Sequence, residues 1–476
     1  VTSVNRKQPS SVEEKKRTQK ILRKGMFLMS PNTTELGAMN GFLGAHCKIT
    51  NTLLETSRLR YKAGMPAYNL TTACQAVKAI RNSISWIERH TTAQSVQVTA
   101  VRVVRAFERF FDRVARGETP GYPRFKSIKR FTGWGYKQYG DGWSLLQKNS
   151  KIKTNGSRAG HSYGAVRLTG IGTVSLRGRT RFEGEPITAE VLHRGGKWYL
   201  SVTFEVTPEA VAREGGRASM AFDWGVSTLL TKVVGDPMTG QVEAIDNPCW
   251  LKKQLDRIAE IQQAIAALEK RAKAASGKQR GFPVCHQLKN AYRRRRCLHA
   301  KIANQRHDFY HQLTAKLVKQ YGLIATEELE VSNMARAPRP KEDPGNPGQY
   351  LPNGAASKAG LNRSILDAAP AGFVAKLRTK AEEAGSRFQF VPTRELKPTQ
   401  RCHLCGETTK LELKDRQWKC TCGATHQRDE NAARTILRYV FEGAWWKDTT
   451  NSGLERPRRP RAARNSIQVG SPIWME

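Results

Sequence analysis

The chain has no run of the roughly 18 apolar residues that a membrane-spanning helix requires, and no secretory leader pattern, so neither a membrane protein nor an exported one is expected. It is also poor in acidic residues. Asp and Glu number 41 against 80 Lys and Arg, giving a formal charge of +39 and a pI near 10.2. Such an imbalance implies a large polyanionic partner, and nucleic acid is the one expected. The plainer alternatives are a basic surface without function, or packing of the ribosomal kind. The basic residues are spread along the whole chain, which favours an extended contact surface over a single patch. Paired cysteines are missing from most of the sequence. Nine is an odd number, and Cys47, Cys74, Cys249, Cys285 and Cys297 are scattered without pattern, which fits free thiols in a reducing compartment. There is no internal repeat. Hydrophobic content, 39%, is slightly low but enough for real cores, and 476 residues imply two to four domains.

Along the chain, residues 1–17 are polar and charged and are expected to be disordered. Residues 18–30 suit a strand. Pro31 to Glu35 then has the form of a helix start, with Asn32 or Thr33 as cap. Helical spacing continues near 69–90 and 94–116, making a small helical domain. From Gly117 the composition turns β-like. Runs at 165–168, 172–176 and 187–192 have strand character, and Arg194-Gly195-Gly196-Lys197 reads as a hairpin turn into 198–206. A strand is expected to begin at Ala218, with a hairpin at Gly235–Gly240. A long helix follows around 251–268, a second over 286–320, and a strand over 321–328. Residues 335–360, rich in Pro, Gly and Ala, suggest a mobile loop. A helix is expected over 367–384, a strand over 387–391, and a helix after Asp429. The tail after Lys447 is basic and irregular.

Three acidic motifs lie about a hundred residues apart: Phe222-Asp223-Trp224-Gly225, Thr326-Glu327-Glu328-Leu329, and Arg428-Asp429-Glu430-Asn431. The first two end apolar, strand-like runs, where a carboxylate is costly unless it is solvated or holds a cation. Taken singly, Asp223 also fits a turn, Glu327 a solvated strand end, and Asp429 a partner for a helix dipole. Together they are what a nuclease needs to hold Mg²⁺ against a phosphodiester. Just before the third motif, Cys402-x₂-Cys405 and Cys420-x-Cys422 supply four thiolates on two short knuckles, suited to one structural Zn²⁺ because four cysteines leave no open position. His403 and His426 are alternative ligands. Residues 121–139 interleave aromatic and basic side chains. Tyr122, Arg124, Phe125, Lys126, Lys129 and Arg130 are the candidates there for stacking on bases and neutralising phosphates, although the aromatics equally suit a barrel core. The four arginines at 293–296 suit either a phosphate contact or a solvated helix.

These motifs resemble one family. FDWGVSTLLT, ATEELEVSNM and CHLCG…WKCTCGATHQRDENAARTIL are similar to the three RuvC motifs and zinc ribbon of TnpB proteins of insertion sequences and of the compact type V CRISPR effectors related to them. The resemblance extends over about 18–443, with a shortened second cysteine knuckle as the main departure. It implies a multidomain α+β protein. A helical recognition domain (31–117) would be inserted in an OB-like wedge β-barrel (18–30 and 118–214). An RNase H-like RuvC nuclease domain (215–397, with a helical hairpin at 250–320) would carry an inserted zinc ribbon (398–424) and resume with the third motif (425–446). The extension 1–17 and the tail after about residue 443, basic over 447–476, have no clear counterpart. The resemblance further implies an RNA-guided DNA endonuclease, in which a guide RNA pairs with one strand of double-stranded DNA beside a short flanking motif read by the protein. Asp223, Glu327 and Asp429 would hold two catalytic Mg²⁺, with Glu327 preferred to Glu328 because the motif of the family it resembles reads Glu, then an acidic or polar residue, then Leu; adjacent side chains on a strand face opposite ways, so only one of the two can point at the metals. A nuclease-inactive RNA-guided repressor is the alternative, disfavoured by the intact acidic triad. A cytoplasmic, prokaryotic, nucleoid-associated protein is expected. Transposon-encoded TnpB and CRISPR effector are both open, as is the oligomeric state.

Overall fold

Alternation of exposed and buried side chains marks the first strand, β1 (Ile21–Ser30), which buries Phe27 and Met29. The computed structural model describes residues 20–118, 120–146, 162–346, 348–412 and 414–450. The extension read at 1–17 and almost all of the tail read at 447–476 lie outside the described residues. Asn32, rather than Thr33, caps α1 (Thr33–Lys62): its side chain accepts from the Glu35 N–H at 2.9 Å, and Glu35 returns the bond to the Asn32 N–H. α2 (Leu70–Ser83), α3 (Ser85–Arg89) and α4 (Ala93–Ala115) follow. The helix expected near 69–90 is thus two, split where Ile84 is extended.

Strands β2 (Gly133–Tyr136), β3 (Trp143–Leu146), β4 (Ala165–Leu168), β5 (Gly172–Arg177), β6 (Glu185–Arg194) and β7 (Lys197–Val206) join β1 in an antiparallel near-barrel of order β2-β6-β7-β1-β5-β4-β3. The hairpin turn expected at Gly195-Gly196 is present, both residues having positive φ. The sheet closes over Phe27, Trp134, Tyr136, Trp143, Leu200 and Phe204, and α1 adds Met39 and Phe42 to that core. The other buried side of α1, through Ile49 and Leu53, packs with Val77 of α2 and Val96 and Phe107 of α4.

After α5 (Pro208–Val211) come β8 (Ala218–Trp224), β9 (Thr228–Val234), β10 (Gln241–Asp246), α6 (Leu255–Ser276), α7 (His286–Gln320), β11 (Tyr321–Glu327), α8 (Val331–Met334), β12 (Lys341–Glu342), β13 (Tyr350–Leu351), α9 (Ala355–Ala368), α10 (Pro370–Glu383), β14 (Arg387–Val391), α11 (Thr393–Leu396), β15 (Gln417–Lys419), β16 (Thr425–Gln427) and α12 (Arg428–Glu442). The loop expected over 335–360 is shorter than that. Prolines punctuate it to Pro352, but Ala355 to Ala359 are good helix formers and start α9. α9 and α10 are separate because Ala369 adopts a left-handed conformation directly before Pro370, which cannot continue a helix and suits the first position of the next.

The chain forms two compact units. The first runs to Gly216 and adds Cys249–Gln320 and Gly372–Ser386, so the helical hairpin α6–α7 groups with the near-barrel and α1–α4. Within this unit Glu383, on α10, accepts charge-assisted bonds from Arg23 of β1 (3.1 Å), Arg181 (2.8 Å) and Arg213. The second comprises Arg217–Pro248, Tyr321–Ala371 and the chain from Arg387. It is built on a five-stranded mixed sheet of order β10-β9-β8-β11-β14, in which β8, β11 and β14 are parallel and β9 and β10 antiparallel. Among the described residues no helix is long and apolar enough to cross a membrane.

Candidate active site and metal centre

Two of the three motif carboxylates stand level on neighbouring strands. β8 and β11 pair in parallel with Ala325 opposite Ala221 and Thr326 opposite Phe222, so Asp223 and Glu327 come next on each strand and share a face. The Thr326 hydroxyl donates to the Phe222 carbonyl at 3.2 Å and locks this register. On the same face, Ala221 and Ala325 are fully buried with Val233, Val391, Ala433, Ile436 and Leu437. The small alanines let α12 lie close to the sheet. Asp429 is the second residue of α12, whose start is capped by the Gln427 side chain accepting from the Glu430 N–H at 2.6 Å. Glu328 lies past the end of β11 and is exposed, whereas Glu327 is 9% exposed.

The electrostatics are those of a site short of positive charge. Burial pushes the Asp223 carboxyl well above the usual carboxylate range, and the charges of Glu327 and Asp429 push it the same way. The Trp224 backbone N–H and the Arg428 charge oppose this only in part. Burial raises Glu327 from 4.5 to about 7. Two desolvated carboxyls of raised pKa, Asp223 and Glu327, grouped with a third carboxylate are an unfavourable arrangement that a hard divalent cation with oxygen ligands relieves, so the donor set fits Mg²⁺. Arg416, at the entry to β15, places a largely exposed guanidinium 3.8 Å from the Asp429 carboxylate.

The four cysteines converge. Their Sγ atoms all lie within 4.8 Å of one another, and they form the one group of ligand atoms among the described residues close enough to enclose an ion as they stand. Cys402 and Cys422 are 3.9 Å apart and Cys405 and Cys420 3.5 Å. Tetrahedral thiolates at about 2.3 Å from zinc lie about 3.8 Å apart, so the quartet fits that metal. Of the two alternative ligands, His426 on β16 sets Nε2 3.0 Å from the Cys402 sulfur, as a neighbour supporting the thiolate would. His403 is instead engaged through Nδ1 with Asn431. Gly406, at φ +83, passes so near Trp446 that a Cβ would sit 2.8 Å from that side chain. Trp446 stacks on the Arg401 guanidinium (4.1 Å) and Trp445 on that of Arg438 (4.5 Å).

The aromatic-basic run of 121–139 divides in two. Phe131, Trp134 and Tyr136 are core residues of the near-barrel. Tyr122, Arg124, Phe125, Lys126, Lys129 and Arg130 are exposed. Their backbone is moored along α1: Asn51 donates to the Lys126 carbonyl (2.8 Å) and accepts from its N–H (2.9 Å). Arg58 lies over the rings of both Phe125 (4.8 Å) and Tyr122 (5.6 Å). Of the four arginines on α7, Arg293, Arg294 and Arg296 are exposed and Arg295 half-buried.

Sequence reasoning passed over Asn431, Arg416, Trp445 and Trp446. For Asn431 there was a signal: a poor helix former inside a helix, followed by two alanines that face a core.

A family described as a probable transposase, OrfB_IS605, matches residues 201–337, and the TNB domain of Cas12f1-like proteins matches residues 371–436. The first segment contains Asp223 and Glu327, the second the four cysteines and Asp429. A protein of Streptomyces pristinaespiralis described as an RNA-guided DNA endonuclease is 28% identical over 341 residues, covering 70% of this chain and 67% of its own length. InsQ of Escherichia coli K12, described in the same words, is 27% identical over 416 residues, covering 86% of this chain and 90% of its own. A solved complex of Cas12f1 with guide RNA and target DNA aligns with a TM-score of 0.45 at 13% identity, over 85% of this chain and 82% of that one. The matched segments hold every motif carboxylate and clustered cysteine described above, and over them the chain is similar to OrfB_IS605 and Cas12f1-like proteins.

Proposed function

We propose that the protein is an RNA-guided DNA endonuclease with a single RuvC-type site, in which a guide RNA selects the DNA strand and the second unit hydrolyses phosphodiester bonds. The observation that carries this reading is the convergence of Asp223, Glu327 and Asp429 from β8, β11 and α12. Three antiparallel strands continued by two parallel ones support an RNase H-like sheet. Two Mg²⁺ bound there would polarise the scissile phosphate and acidify the attacking water. Asp223 feels the charge of both other carboxylates, and Asp223, Glu327 and Asp429 together would hold the metal. A half-buried strand end at Asp223, a buried one at Glu327 and a capped helix start fix these side chains before substrate arrives, which limits the reorganisation needed during the reaction.

The cysteine quartet serves as a structural zinc ribbon beside the third motif. The exposed basic strip at Tyr122, Arg124, Phe125, Lys126, Lys129 and Arg130 belongs to the guide-RNA interface. Its rings are held ready to stack and its charges to meet phosphates. Base pairing supplies sequence selection, and the protein reads duplex shape and the flanking motif.

The test is cleavage and gel-shift on one guide-matched DNA, with and without Mg²⁺. Asp223→Ala, Glu327→Ala and Asp429→Ala should each lose cleavage and retain guided binding. Robust cutting by Asp223→Ala would overturn the site. A target choice unchanged when the guide segment is swapped would overturn RNA guidance.

A further inference from the structure

One face of α12 is zipped to the first cysteine knuckle over two helical turns. Asn431, Thr435 and Arg438 stand at i, i+4 and i+7 on that face. Asn431 is 1% exposed and makes every hydrogen bond its side chain can make. Its amide nitrogen donates to the carbonyls of Pro398 (3.2 Å) and Arg401 (2.7 Å). Its amide oxygen accepts from the His403 backbone N–H (3.1 Å) and from His403 Nδ1 (2.9 Å). The two carbonyl partners fix the amide orientation, and an amide oxygen only accepts, so the His403 proton is on Nδ1. The Thr435 hydroxyl donates to the Arg401 carbonyl (3.2 Å). Arg438 donates to the carbonyls of His403 (2.6 Å) and Leu404 (2.7 Å).

These acceptors and donors are the backbone on both sides of Cys402 and up to Cys405. Asn431 is also two residues beyond Asp429, in the first turn of the helix that carries it. A buried asparagine inside a helix is a poor choice for helix stability. Here it joins the metal-binding loop to the start of the proposed catalytic helix, in a place where an alanine would take away the bonds it makes to the Pro398 carbonyl and to the His403 N–H and Nδ1–H and leave the Arg401 carbonyl with the Thr435 hydroxyl.

We propose that Asn431 is a positioning residue for the cleavage reaction. It clamps the first cysteine knuckle to the first turn of α12, so that the closed knuckle sets the position of Asp429. The inference rests on the proposed role of Asp429 as a Mg²⁺ ligand. The coupling runs both ways: loosening the clamp frees the carboxylate at one end and opens the knuckle at the other.

The experiment uses the RNA-loaded protein. Single-turnover cleavage is measured against Mg²⁺ concentration, and zinc release to a chromogenic chelator is followed on the same preparations. Asn431→Ala should retain about one zinc per chain and normal guided DNA binding. Its half-saturating Mg²⁺ should rise by about 10–100-fold, the scale seen when an outer partner of a metal ligand is removed. Cleavage should recover as Mg²⁺ is raised, and zinc should leave faster than from the wild type. Arg438→Ala, at the more open end of the same face, should shift both readouts in the same direction by less. It keeps the test decisive if Asn431→Ala does not fold. Ile436→Ala removes core packing from the same helix without touching the knuckle. It should lower thermal stability yet leave the Mg²⁺ dependence and the zinc release rate unchanged.

Wild-type Mg²⁺ dependence in both Asn431→Ala and Arg438→Ala would overturn the inference. So would an equal Mg²⁺ shift in Ile436→Ala, which would reduce Asn431 to a packing residue. Loss of cleavage by Asp429→Ala beside a normal Asn431→Ala defeats only this inference. Full activity of Asp429→Ala defeats the reading on which it rests.

Discussion

Replacing Glu327 by Gln should stabilise the Mg²⁺-free protein while abolishing cleavage. In the fold, burial raises the Glu327 carboxyl from 4.5 to about 7. A folded-state pKa above the unfolded one means that the fold prefers the protonated form. No penalty is present below pH 4.5, a penalty grows between 4.5 and 7, and it is constant above 7. At 1.36 kcal/mol per unit, ionised Glu327 costs the fold about 3 kcal/mol at pH 8. The cost falls below about 1 kcal/mol at pH 5. Gln keeps the shape and carries no charge, so it removes this term. For a unit of this size, about 3 kcal/mol corresponds to roughly 6–12 °C in melting temperature. The assay is thermal unfolding of wild type and Glu327→Gln at pH 8 and pH 5, without Mg²⁺ and without chelator so that zinc is retained. A two-unit chain need not melt in one step. Hydrogen exchange of β11 and α12 therefore assigns the shift to the sheet that carries the site. Added Mg²⁺ should raise the wild-type transition and leave the variant's nearly unmoved. A variant no more stable than wild type at pH 8, or a gain equally large at pH 5, would refute the argument that desolvated charge is held there for a cation.

Glu328→Ala should remain active on a guide-matched target, because Glu328 is exposed beyond the end of β11; a dead Glu328→Ala beside an active Glu327→Ala would move the ligand by one residue. Metal analysis should find about one zinc per chain, lost in a Cys402→Ser, Cys405→Ser double variant, and a folded, active, zinc-free preparation would exclude the ribbon. Replacing Arg124, Lys126, Lys129 and Arg130 together by Ala should weaken guide-RNA binding. It should also reduce the slope of log affinity against log salt by about 3, near 0.7–0.9 for each phosphate no longer neutralised, and an unchanged slope would place the RNA elsewhere. Glu383→Ala should destabilise the first unit by about 1–3 kcal/mol, since it removes the buried carboxylate shared by three part-exposed guanidiniums, of which Arg23 and Arg181 keep backbone carbonyl partners. Denaturation melts read through Trp fluorescence would show this, and a shift under about 0.5 kcal/mol, the scale of an ordinary surface change, would show the cluster to be solvated.

Much of the architecture was determined by local sequence. The Asn32 to Glu35 capping box, the Gly195-Gly196 turn and the apolar runs ending at Asp223 and Glu327 are signals within a few residues of the structure they produce. Cysteine spacing and the acidic motifs likewise marked candidate metal ligands from residue type and separation, and the structure brings the four sulfurs within 4.8 Å of one another. Boundaries were less legible where propensity and punctuation conflict. The prolines of 335–352 suggested a longer loop than exists, and only the sequence beyond Gly354 favours α9. The 121–139 run could not be divided by pattern, because aromatic and basic residues alternate in both halves. Which rings enter the core is decided by β2 pairing with β6, which turns Trp134 and Tyr136 inward and leaves Tyr122 and Phe125 beside Arg58. The same holds for Asn431. Its type hinted at a special role, but its partners lie about thirty residues earlier in the chain, and only the packing of α12 against the cysteine knuckle brings them together. Residue identity determines what chemistry is available. Long-range register and helix packing decide which groups face one another, because those depend on contacts between segments a hundred residues apart that no local window contains.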